Sequence, residues 1–395
     1  MQVQQTITQR DADVPRAAWG AVFAMSLCVF VLIASEFMPV SLLTPIASDL
    51  RVSEGQAGQA IAISGVFAVL ASLLIPMLVG RIDRKRVLLT LTGVMLVSGA
   101  IVSLAPSYVA LMMGRALIGL VIGGFWSMSA ATVMRLVPKT SVPRALAILN
   151  GGNALAATIA APAGSFLGAF IGWRGAFFTV VPLAALAFGW QLMTLPALPG
   201  NMTSGGWGLL KLLARPTVAV GMAAAAFLFM GQFALFTYLR PFLETVTRVD
   251  VSTLSLLLLV VGLAGLIGTM LIGKVLDRSV FGTLIAIPLL MAGLAIALMV
   301  FGRSTASTAV LLALWGTLGT AVPVGWWTWL SQTLPNDAEA GGGLMVATIQ
   351  CAITLGATAG GILFDNSGYQ ATFGLSAALL AIAALFACLA SKSRQ

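Results

Sequence analysis

Of the twelve acidic residues in this chain, only Glu36 falls well inside a long apolar segment. The others, among them Asp83, Glu244, Asp277 and Asp365, lie in polar tails, in loops or at segment edges. A carboxyl group in such a setting is suited to taking up and releasing a proton, and the chain contains no histidine that could do so instead. The plainer reading is a carboxylate that only pins helix packing. Arg115 is the one basic residue similarly placed. It can pair with Glu36 or share a water-filled cavity with it; alternatively it is a structural clamp on backbone carbonyls. A nearby cation favours a charged carboxylate and dehydration disfavours it, so a conformational change that alters either can load or release a proton.

Residues suited to holding a neutral solute lie in other apolar segments. Trp126 shares a helix face with Arg115, because eleven residues make about three turns. Gln232 and Phe236 are spaced i and i+4, Asn150 and Asn153 i and i+3, and Trp326 and Trp329 repeat the latter spacing, while Gln350 is a further amide in an apolar segment. Amides offer paired donor and acceptor groups for the polar edge of a solute, and aromatic rings offer a stacking face. Against this, aromatic residues in such segments are commonly packing or lipid-facing groups. A metal centre is not expected, since Cys28, Cys351 and Cys388 all sit in apolar stretches and act there as small packing residues.

The segments that carry these residues are membrane spans. Hydrophobic residues make up 59% of the chain and charged ones only 8%, against roughly 25% charged in soluble domains. Runs free of charge cover 55–80, 87–114, 145–173, 175–210, 251–273, 279–302, 304–336 and 366–391. Each suffices for the about 20 residues of a crossing helix. Turn and charge signals divide the chain into twelve helices: 18–43, 57–79, 86–105, 108–131, 143–171, 174–195, 216–239, 252–273, 281–302, 306–330, 341–364 and 370–390. On these boundaries Glu36 and Arg115 each lie about 8 residues, or ~12 Å, below one surface. An ionised group at a span centre costs about 2.5–3.5 kcal/mol on insertion scales, which makes both functional candidates.

With the N-terminus placed in the cytoplasm, 15 Lys and Arg fall on that side and 5 on the other. This is the positive-inside pattern, with both termini cytoplasmic. It accounts for the net charge of +9 without a nucleic-acid partner, which would call for a basic face on a soluble unit. The polar, mixed-charge residues 1–17 do not resemble a cleavable signal.

The expected organisation is an N-terminal tail (1–17), a six-helix half (18–195), a central cytoplasmic linker (196–215) rich in Pro and Gly, a second six-helix half (216–390) and a C-terminal tail (391–395). Three echoes support a duplication: Glu36-Phe-Met-Pro39 with Tyr238-Leu-Arg-Pro241, Gly124-Phe-Trp-Ser127 with Gly325-Trp-Trp-Thr328, and Gly172-Trp-Arg with Gly368-Tyr-Gln. Their offsets are 202, 201 and 196 residues. In transporters, such repeats place the substrate between two halves near the bilayer midplane.

Gly114-Arg115 with Gly119 resembles the intramembrane arginine motif of the major facilitator superfamily. Gly80-Arg-Ile-Asp83-Arg84-Lys85-Arg86 resembles a shortened form of its cytoplasmic signature, and Gly273-Lys-Val-Leu-Asp277-Arg278 an echo of it. Ala161-Pro162-Ala-Gly164 is similar to the antiporter motif, with alanines replacing two glycines. Ser35-Glu36-Phe-Met-Pro39, Gly123-Gly-Phe-Trp126, Gly231-Gln232-Phe233 and Val322-Pro-Val-Gly325-Trp326 resemble the purine-ribonucleoside-exporting branch of the drug:proton antiporter-1 family.

The resemblance implies an all-α polytopic membrane protein of major facilitator fold in the bacterial inner membrane, working as a monomer. It implies no cofactor beyond the coupling proton and a small, neutral, purine-like solute. It further implies that Asp83 and Arg84, with Asp277 and Arg278, form a conformational latch; otherwise the charged runs are topogenic loops. Export of sugars or diverse drugs is the alternative, passive uniport a further one. An enzyme is disfavoured by the lack of histidine and of any acidic pair inside the membrane.

Overall fold

The computed structural model describes residues 17–79, 82–199, 212–334 and 337–392. Most of the 196–215 linker and of both terminal tails, together with Gly80 and Arg81, lie outside the described residues.

Among the described residues, ten helical stretches are long and apolar enough to cross a membrane. Eight are single spans: α1 (Trp19–Leu50), α2 (Glu54–Leu78), α3 (Arg84–Ser103), α4 (Tyr108–Leu136), α7 (Pro216–Phe236), α8 (Val251–Leu276), α9 (Val280–Phe301) and α10 (Thr305–Thr333). The other two are each broken once. Val142–Phe178 leaves helical geometry at Gly172 (φ 71°, ψ 166°), and Ala338–Lys392 does so at Gly368 (φ 77°, ψ −176°). Side chains are essentially barred from that backbone region, so glycine is needed at both places. The breaks separate α5 (142–171) from α6 (173–194) and α11 (338–367) from α12 (369–392), giving the twelve expected helices in two sets of six.

Local sequence sets the starts. Ser53, Asp83, Ser107, Asp250, Ser279 and Ser304 each cap the helix that follows by accepting a backbone N–H, and Ser53 with Gln56 forms a full capping box. The main departure from the sequence-derived boundaries is α1, which continues to Leu50 through Pro39 and Pro45 instead of ending at 43. Glu36 is therefore about 14 residues from the end of α1, roughly 21 Å, and stands near the middle of that helix.

The two halves touch unevenly. The hydrogen bonds that join them cluster between mid-height and the end of the molecule that carries Asp49, Ser53 and Asp250. There the Asp365 carboxylate of α11 accepts from Ser53 Oγ (2.5 Å) and Gly55 N (2.9 Å), capping α2 from the opposite half. Thr358 donates to Gln59 (3.1 Å), Thr354 to the Ala62 carbonyl (3.2 Å) and Thr158 to the Gly262 carbonyl (3.4 Å), and Ser255 pairs with Ser165 (2.9 Å). Gly262 packs on the Thr158 carbonyl so closely that a Cβ there would collide with it. Among the described residues, hydrogen bonds thus close this end, and Asp83 and Asp277 at the other end are not part of that set.

Candidate functional site

Prolines in the spans organise the site. A proline has no N–H, so the carbonyl four residues earlier loses its helical donor and must find another. Pro39 frees the Ser35 carbonyl, and Arg115 Nη1 donates to it at 2.7 Å. Pro45 frees the Ser41 carbonyl, and Arg240 Nη1 reaches it from the other half of the molecule. Pro323 frees the Gly319 carbonyl, and Gln232 Nε2 donates to it at 3.4 Å. These replacement bonds let α1 run on through two prolines.

Arg115 is fully buried and uses its remaining N–H groups the same way, donating to the carbonyls of Ala60 (2.9 Å) and Glu36 (3.2 Å) and to Ser64 Oγ (3.2 Å). Its contact with Glu36 is therefore with the backbone. No ion pair joins it to the Glu36 carboxylate among the described residues; that carboxylate accepts from Gln350 Nε2 (3.2 Å). Of the readings open for Arg115, these bonds fit the clamp on backbone carbonyls, the carbonyl freed by Pro39 among them.

A cavity of about 230 Å³ opens between the halves at mid-height. Of the expected solute-binding residues, Trp126, Asn153, Gln232, Phe236 and Gln350 line it, as does Glu36. Glu36 is the one charged group among its lining residues. Asn150 does not line it: it is exposed one turn beyond Asn153, on the stripe that continues through Ala157 and Ala161, and donates to the Leu146 carbonyl (2.9 Å). Trp326 also lies outside the lining, buried edge-on against Trp329 with ring centroids 5.5 Å apart.

Several lining residues were not anticipated. Phe37 of α1 stacks on Phe233 of α7 across the two halves (5.9 Å, 25°), and Phe236 meets Phe233 edge-on (6.1 Å). Phe229, Trp315 and Thr320 complete the polar-aromatic wall. Phe229 lies three residues before Gln232 and Phe233 four after Phe229, so extending the Gln232–Phe236 stripe by a turn would have found them. Trp315 is four residues from Gly319, one turn along the face broken by Pro323.

The charged loop residues are not joined across the halves. Asp83 accepts from Lys85 N (2.8 Å) as the cap of α3, and Arg84 N donates to the Leu198 carbonyl (2.8 Å). Asp277 and Arg278 are exposed at the end of α8.

The sequence model of the Major Facilitator Superfamily matches residues 25–343. The chain is 58% identical over 381 residues to a Pseudomonas aeruginosa protein named transcription regulatory protein OpdE, covering 95% of each. It is 43% identical over 376 residues to the purine ribonucleoside efflux pump NepI of Salmonella paratyphi B, again covering 95% of each. In fold it matches a bacterial homologue of the human lysosomal transporter Spinster in an inward-facing, unoccupied conformation, with a TM-score of 0.77 at 18% identity, covering 95% of this chain and 97% of that one. The human organic anion transporter MFSD10 gives a TM-score of 0.66 at 17% identity, covering 93% and 98%. Twelve helices in two halves, a cavity between them and these likenesses agree: the chain belongs to the Major Facilitator Superfamily and is a multi-pass membrane transporter.

Proposed function

We propose that the chain exports purine ribonucleosides and related purine analogues across the bacterial inner membrane in exchange for protons, with both termini in the cytoplasm. The observation that carries this reading is the mid-height cavity, in which one carboxylate, three amides and a set of aromatic rings converge from both halves. Amide edges and aromatic faces suit a neutral heteroaromatic solute. Glu36 is the coupling site: its carboxylate is bridged to the second half only through Gln350, so protonation and solute entry act on the same inter-half contact. With the basic loops facing the cytoplasm, the unlatched end is the inner one and the chain is in an inward-open state that takes up its solute from the cytoplasm. Asp83 and Asp277, apart here, are the groups that engage when that end closes.

The regulatory name of the Pseudomonas relative supports a second reading of the physiological role. A transporter that changes the cytoplasmic level of an inducer alters transcription without touching DNA, and the short basic loops of this chain fit topology better than DNA binding.

A counterflow panel with purified protein in liposomes tests the substrate. Inosine and guanosine are expected to exchange, and sugars and cationic dyes are not. Exchange of sugars or dyes without nucleosides would assign the chain to another branch of the family.

A further inference from the structure

We infer that Gln232 and Trp315 select the solute by its hydrogen-bonding edge: the cavity accepts a base that presents an N–H donor beside an acceptor, as the lactam of a 6-oxopurine does. This rests on the purine reading above and specifies it.

The orientation of the Gln232 amide follows from Pro323. The Gly319 carbonyl has no helical donor and can only accept, so the amide must turn Nε2 toward it; the opposite orientation would set two acceptors against each other. The Gln232 oxygen is thereby left as an acceptor, and it is buried without a partner. On the same wall Trp315, 1% exposed, has an indole nitrogen that is a pure donor and is also without a partner. Both residues line the cavity, and Trp315 is one helical turn from the carbonyl that orients Gln232. Leaving buried polar atoms unpaired is destabilising, so one acceptor and one donor on the same cavity wall define what the missing partner must offer. An N–H on the solute meets the Gln232 oxygen, and a neighbouring carbonyl meets the Trp315 nitrogen. The Glu36–Gln350 pair lies on α1 and α11 and is left to the proton. Gln232 is thus a specificity residue, and Pro323 a positioning residue that acts through it.

The test compares inosine with purine riboside, which lacks both the N1–H and the 6-oxo group but keeps the ring and the sugar. Competition by each against labelled inosine counterflow in liposomes gives a selectivity ratio. In the unaltered protein inosine should compete about tenfold better, the effect of roughly one net hydrogen bond. Gln232→Leu should lower the ratio severalfold, leaving only the preference carried by the Trp315 nitrogen. Pro323→Ala, which restores an N–H for the Gly319 carbonyl and releases the amide, should lower the ratio while Gln232 stays in place. A ratio unchanged from the unaltered protein in whichever variant still exchanges inosine overturns the inference and leaves the purine reading standing. Failure of both compounds to compete in the unaltered protein overturns the purine reading and the inference with it.

Discussion

Arg115 holds α1 through its backbone, donating to the carbonyls of Ser35 and Glu36, the first of which Pro39 leaves without a helical donor. The position of Arg115 inside a span marked it as a candidate, and the depth read from the helix boundaries set it beside Glu36. The sequence left open whether Arg115 meets the carboxylate or backbone carbonyls; Pro39 leaves a carbonyl on α1 needing a donor just where the guanidinium arrives, and the clamp forms with the Ser35 and Glu36 backbone. Gln232, Phe236, Asn153, Trp126 and Gln350 were readable because buried amides and spaced aromatics are rare in such helices. Asn150 and Trp326 share the same spacing rules yet fall one turn off the cavity, a distance that spacing alone does not resolve. The clamp makes a prediction. Arg115→Ala leaves the Ser35 carbonyl, which Pro39 deprives of a helical donor, buried and unpaired at about 1–3 kcal/mol, and removes the further bonds to Ala60, Glu36 and Ser64. Arg115→Lys cannot span them and should recover only part of the loss. Both variants are expected to melt several degrees lower in detergent, with alanine the worse and exchange impaired. Unaltered melting with loss of proton coupling alone would instead indicate a purely electrostatic role.

At the scale of elements, the helix count and the Gly172 and Gly368 breaks followed from composition and from the internal repeat, whereas the length of α1 did not. A proline normally argues for an ending; here Arg115 and Arg240 supply the donors that let the helix run on. The two arginines differ in kind, since Arg115 belongs to the same half as α1 while Arg240 reaches across from the short helical segment Leu239–Phe242 that follows α7, braced by Glu244 at 2.7 Å. The Arg240 contact must therefore break when the closed end opens. Replacing Pro45 with alanine gives the Ser41 carbonyl a helical N–H and removes the reason for the contact. Pro45→Ala and Arg240→Gln should each slow exchange, and the double variant should be no worse than the more severe single one. A double-mutant cycle on exchange rates and melting temperature checks this, and additive losses would separate the two residues.

At the scale of the whole molecule, the two halves meet along one end and part at the other, with the cavity at the boundary. That asymmetry was not legible in the sequence, which carries no signal for the state of the interface, whereas the duplication that the proposed rocking motion would use was visible in the repeats. A carboxylate at the boundary, bridged across it by an amide, is well placed to link protonation to the rocking motion. The most direct measurement of that link is inosine uptake into inverted membrane vesicles under an imposed acid-inside pH gradient, alongside exchange without a gradient. The account predicts that the unaltered protein accumulates inosine until the gradient is collapsed, and that Glu36→Gln, an amide standing in for the protonated acid, still exchanges inosine but no longer accumulates it. Full gradient-driven accumulation by Glu36→Gln would contradict the account.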